Sequence, residues 1–106
     1  MRKLGVFFND TMAGVLIEYN PGSGYSFQYL DDYLDSSFPP ISVNLPKREE
    51  AYTAEHLFPF FTNMLPEGGN RRVICRARKI DEEDFFGLLT AMADKDFIGA
   101  VNIKKL

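Results

Sequence analysis

The apolar residues of this chain change their period near residue 54 and change back near residue 97, and that order restricts the fold more than any motif does. A period of two marks strands with one half-buried face, and a period of three to four marks amphipathic helices. Strands, then helices, then a closing strand describe an α+β domain. The expected architecture is a mainly antiparallel sheet or partial barrel of about five strands, with three helices inserted before the last strand. At 106 residues, a single domain spanning 1–106 is expected.

Residues 3–8 (KLGVFF) and 12–19 (MAGVLIEY) flank Asn9, Asp10 and Thr11, which reads as a hairpin. After the breaker NPGSG, Tyr25, Phe27 and Tyr29 alternate with Ser26 and Gln28 as a third strand. One helical turn in LDDYLDSS is stopped by Pro39 and Pro40. Ile41, Val43 and Leu45 then alternate with Ser42 and Asn44 as a fourth strand, and PKREEAYT reads as a polar connection.

Ala54, Leu57, Phe58, Phe61, Met64 and Leu65 make a helical stripe, and Pro59 sets the regular start near residue 58. Glu67, Gly68, Gly69 and Asn70 turn the chain and cap a second helix over about 71–79, with Val73, Ile74 and Ala77 facing inward and Arg72, Arg76 and Lys79 outward. Asp81 and Asp84 form a capping box before a third stripe, Phe85, Leu88, Leu89 and Met92. FIGAVNI at 97–103 is the closing strand.

The residues that usually carry catalysis are poorly placed for it. Gly22, Ser23 and Gly24 are too few for a dinucleotide fingerprint, without the lysine of a phosphate loop, and suit a turn between strands. His56 is the single histidine, expected at a helix start or on the surface. Cys75 is the single cysteine, which excludes an internal disulfide and is expected to be buried. The acidic groups Asp31, Asp32, Asp35 and Glu82, Glu83, Asp84 read as solvated helix starts. No catalytic residue, cofactor or metal is expected, and the chain is not expected to be an enzyme. The N-terminus lacks the apolar region of a signal peptide, and no apolar run approaches the roughly 20 residues of a membrane span, so a cytoplasmic protein is expected.

The most distinctive stretch is basic. Five cations fall within residues 71–79 although the chain carries a net charge of −3. Three readings stay open: a solvated face paired with the acidic residues that follow, a nucleic-acid grip, and a protein-recognition surface in which arginine forks bind carboxylates.

The runs FFTNMLPEGGNRR and DEEDFFGLLTAMADKDFIGAV resemble the N-terminal subdomain of HipA-type serine/threonine kinases, with its F-x-N-L-L-P-E-G-x-x-R motif and its G-x-D-x-x-G-A-V ending. YSFQYLDDYL and ISVNLP extend the likeness over nearly the whole chain. Met64 stands where the family has leucine, and MADKDF lacks the glycine often found before the aspartate. The kinase's nucleotide loop and catalytic aspartates lie beyond this subdomain.

As a separate protein, such a subdomain is similar to the HipS-type antitoxins of split toxin–antitoxin systems. The resemblance implies a partner, a HipA-like (HipT-like) kinase, which this chain binds and holds inactive, with a DNA-binding HipB-like protein as a possible third component. Neither a membrane nor direct nucleic-acid binding is implied. Partner contacts are expected from Met64, Leu65, Pro66, Glu67, Gly68, Asn70, Arg71, Arg72 and Arg76, with Leu65 and Glu67 substitutable without loss of the fold. The alternatives are a nucleic-acid-binding accessory domain using the helix from Arg71 to Lys79, and a purely architectural N-terminal piece of a kinase.

Overall fold

The computed structural model describes residues 1–93 and 99–106. Its elements, in chain order, are β1 (Arg2–Phe8), β2 (Thr11–Asn20), β3 (Ser23–Tyr29), α1 (Asp31–Leu34), β4 (Tyr52–Ala54), α2 (Pro59–Thr62), α3 (Gly68–Arg78), α4 (Phe85–Met92) and β5 (Val101–Lys105). The five strands form one open antiparallel sheet in the order β4-β3-β2-β1-β5. All four described helices precede β5 and three of them, α2 to α4, lie between β4 and β5, so the α+β class and the inserted helices stand as expected.

The β1–β2 hairpin turns through Asn9 and Asp10, with Asn9 at φ 51°, a left-handed conformation that asparagine tolerates better than most residues. The register slips by one residue between Val6 and Phe7, leaving Ala13 unpaired on β2 as a bulge. The carbonyl of Ala13 accepts from the Leu30 amide at 2.8 Å, so the bulge anchors the chain as it leaves β3.

Alternation then divides the sheet into two faces. Leu4, Val6, Leu16, Tyr25, Phe27, Tyr29 and Ile103 point to one side, where Phe61, Phe86, Leu88 and Leu89 complete the core. Tyr25 stacks on Phe86 and Phe27 packs against Phe61, so the helices cover this face.

Residues 41–45 are not a strand. Ile41 and Leu45 are buried as expected, but Val43 between them is 91% exposed at the tip of a tight turn. The Leu45 amide bonds the Ser42 carbonyl at 3.0 Å, and the Asn44 amide bonds Ser42 Oγ at 3.2 Å. Pro39, Pro40 and Pro46 lack the donors a ladder needs, and core tyrosines take the segment instead. Tyr29 Oη donates to the Leu45 carbonyl and accepts from the Ile41 amide at 3.0 Å, while Tyr33 Oη donates to the Pro39 carbonyl at 2.6 Å. The fourth strand is Tyr52–Ala54, at the junction of the expected polar connection, which ends at Thr53, and the expected helical stripe, which begins at Ala54.

The helical half also differs in detail. Pro59 occupies the first turn of α2, as its missing N–H allows, but α2 has only four residues and the expected stripe is broken because Ala54 belongs to β4. In α3 the inward residues are Ile74 and Cys75; Val73 is 67% exposed and Ala77 is also exposed. Asp84 rather than Asp81 caps α4, accepting from the Gly87 amide at 3.0 Å, while Asp81 turns back on the Glu83 amide at 2.8 Å. The closing strand runs two residues further than expected, and Phe97 and Ile98 lie outside the described residues.

Candidate protein-contact surface

The basic stretch stands on a tightly wound corner. After α2 the amides of Met64 and Leu65 bond the carbonyls three residues back, both at 3.1 Å, and Pro66 ends the winding. Glu67 is extended and its carboxylate does not cap α3, while Gly68 enters the helix at φ 58°, where a side chain would be strained. Glu67, Gly68 and Asn70 are all exposed.

The residues expected to meet a partner therefore divide. Leu65 is 5% exposed and belongs to the core; its substitution would disturb the fold, contrary to the expectation above. Met64 and Pro66 are half-buried. Arg71 is occupied internally: its Nε donates to the Pro66 carbonyl at 3.0 Å and its guanidinium lies 5.4 Å from the centre of the Phe85 ring, fastening the corner to α4. Glu67, Gly68, Asn70, Arg72 and Arg76 remain outward on one corner and the helix that follows.

Arg72 and Arg76 face Asp81, Glu82 and Glu83 across an open groove of about 460 Å³ that Cys75 and Ile80 also line. The charges do not close on each other: among the described residues the ion pairs are those of Arg2. Intrachain pairing of the basic helix with the acidic residues that follow it is thus not formed. Cys75 sits in this wall with its thiol pushed up by burial, against the direction a nucleophile needs. His56 is exposed, and no group of three or more metal-ligating side chains occurs among the described residues.

A second polar cluster escaped the reading of the sequence. Glu18 is 2% exposed on the core side of β2 and accepts from Arg2 Nε at 2.7 Å, Tyr25 Oη at 2.9 Å and the Gly22 amide at 3.2 Å. Arg2 also forks onto Asp84, at 2.8 and 3.3 Å, and so joins two strands to the start of α4. These hydrogen bonds hold the Asp84 carboxyl below its usual range, and burial with the Glu18 contact pushes Tyr25 up to about 12. The cluster lines an open groove of about 630 Å³, but its charged groups saturate one another and offer no free acid or base. The pairing of Arg2 with Glu18 depends on the one-residue bulge at Ala13, which the strand pattern of the sequence does not specify.

Against known proteins, the family model described as HipA N-terminal domain matches residues 4–104. An uncharacterized protein of Haemophilus influenzae is 30% identical over 100 residues, covering 94% of this chain and 89% of that protein. A Sinorhizobium fredii protein named "Putative kinase Y4mE" is 30% identical over 104 residues, 97% of this chain but only 24% of its own length. Among solved structures, an N-terminal domain of HipA toxin matches with a TM-score of 0.73, over 100% of this chain and 93% of that one, at 24% identity, a likeness of fold.

Proposed function

Because this chain belongs to the HipA N-terminal domain family, we propose that it is a non-catalytic antitoxin or regulatory subunit that binds and inhibits a separately encoded HipA-like serine/threonine kinase. One observation carries the reading. The same domain fills 89% of a small Haemophilus protein and only 24% of a Sinorhizobium protein named as a kinase, so it occurs both nearly alone and as a minor part of a larger chain.

The surface suits that role. Inhibition is steric: the corner at 65–70 sits at the kinase cleft with Glu67 and Asn70 outward, while Arg72 and Arg76, without ion-pair partners among the described residues, bind kinase carboxylates bidentately. Met64 and Pro66 add apolar contact at the rim, and Leu65 and Arg71 hold the corner in shape.

Charge reversal at two exposed positions that form no ion pair among the described residues leaves the fold intact, so Arg72→Glu with Arg76→Glu tests the site. Binding to the kinase encoded beside this chain should weaken at least about tenfold. Unchanged affinity would remove α3 from the interface. The exposed cations of α3 also keep the nucleic-acid reading in view; it requires affinity for DNA or RNA that falls steeply with added salt, whereas the kinase complex should form without nucleic acid.

A further inference from the structure

The sheet has a second face, and the described helices do not cover it. Register places Lys3, Gly5 and Phe7 of β1 on this side, with Met12, Val15, Ile17 and Tyr19 of β2, and Asn102 and Lys104 of β5. An antiparallel sheet exposed on one side is ordinarily polar there. Here the centre is apolar: Phe7, Met12, Val15 and Ile17 are half-buried and none packs against the core, while Tyr19 is 47% exposed. Val15, Ile17 and Tyr19 also line a shallow depression of about 300 Å³.

We propose that this outward face, centred on Val15 and Ile17, is a second docking surface, and that its occupant is the kinase partner, meeting it through an apolar patch edged with carboxylates. The proposal rests on the function given above. Two observations select the occupant. The outward positions of the five strands carry two charges, Lys3 and Lys104, and no carboxylate, although the chain as a whole is at −3; Asp31, at the start of α1, is the one carboxylate lining the depression. A second copy would bring the same lysines to the same face, whereas an acidic margin on another protein complements them. The chain also leaves the sheet here: Leu106, 64% exposed, reaches within 3.1 Å of where a Cβ on Gly5 would stand. In a longer protein that continued past β5, the chain would set out from this face.

This surface is distinct from the corner and α3, because the stacking of Arg71 on Phe85 fixes α3 to the helical side. The apolar face holds the kinase, and the corner stops it.

The test uses the full chain and the kinase encoded beside it, with affinity measured by titration calorimetry. Val15→Lys and Ile17→Lys should each weaken binding about 30-fold or more, as loss of a central apolar anchor does. A gentler double variant, Val15→Thr with Ile17→Thr, keeps the branched shape the strand needs; it should weaken binding several-fold and decides the matter if the lysine variants do not fold. Wild-type binding that survives all of these within twofold overturns this surface and leaves the proposed function standing. No complex with the wild-type chain overturns both. A dimer of the chain alone that Ile17→Lys dissociates, seen by sedimentation, assigns the face to a second copy and overturns the kinase as its occupant.

Discussion

Replacing Arg2 with methionine should cost about 3 kcal/mol of folding stability. Arg2 reaches Glu18 with Nε at 2.7 Å and with a terminal nitrogen at 2.5 Å, and Glu18 is 2% exposed. Without the guanidinium, the carboxylate keeps the Tyr25 hydroxyl and the Gly22 amide but stays buried with its charge uncompensated. Removing one partner of a buried pair typically costs about 3–5 kcal/mol. The Arg2 side chain is 39% exposed, so water reaches the site and the low end applies. The contact with Asp84, itself 33% exposed, adds at most about 1 kcal/mol.

With about 2.1 cal/mol/K of unfolding entropy per residue over 106 residues, the melting temperature should fall by roughly 13 °C. Urea unfolding followed by circular dichroism should show a lower midpoint with an unchanged slope. The double variant Arg2→Met, Glu18→Leu should recover most of the loss, because no buried charge remains. A single variant that loses less than about 1 kcal/mol, or a double variant no better than the single, would refute the assigned role of this cluster.

Gly87→Ala should destabilise the protein although alanine is the better helix former, because the new Cβ would stand 2.2 Å from Asp84 Oδ2 and break the cap of α4; a melting temperature equal to or above wild type would contradict this. The pH dependence has two flanks. The Asp84 carboxyl is depressed by Arg2, so its stabilisation is present above about pH 4 and lost as pH falls through the lower folded value, a loss the Arg2→Met variant should lack in an acid titration of stability. Tyr25 and Tyr29 are raised to about 12 by burial, so their contribution is intact below about pH 10 and lost as pH rises through 12; tyrosinate absorbance rising together with unfolding would confirm it.

The residues announce the fold where local period and tertiary packing agree. The hairpin, β3 and the buried stripe of α4 are legible because alternation and the i, i+3, i+4 spacing coincide with the faces that are buried. Residues 41–45 mislead because Ile41 and Leu45 are both buried, as a strand would require, while the turn between them depends on hydroxyls from Tyr29 and Tyr33 elsewhere in the chain. In α3 the pairs Val73 and Ala77, or Ile74 and Cys75, could equally have faced inward. Contacts made by Arg71 with Pro66 and Phe85 set the rotation, and a period carries no record of them. The candidate site was legible as a corner followed by arginines, but burial, which separates Leu65 and Arg71 from Glu67, Arg72 and Arg76, was not.

The most direct measurement is autophosphorylation of the proposed partner, a separately encoded HipA-like kinase, followed as the chain is titrated in. A fall that reaches completion near one equivalent is the expected result for a subunit that binds and inhibits in trans. Full kinase activity at saturating complex formation would contradict inhibition and leave the domain a structural companion of the kinase.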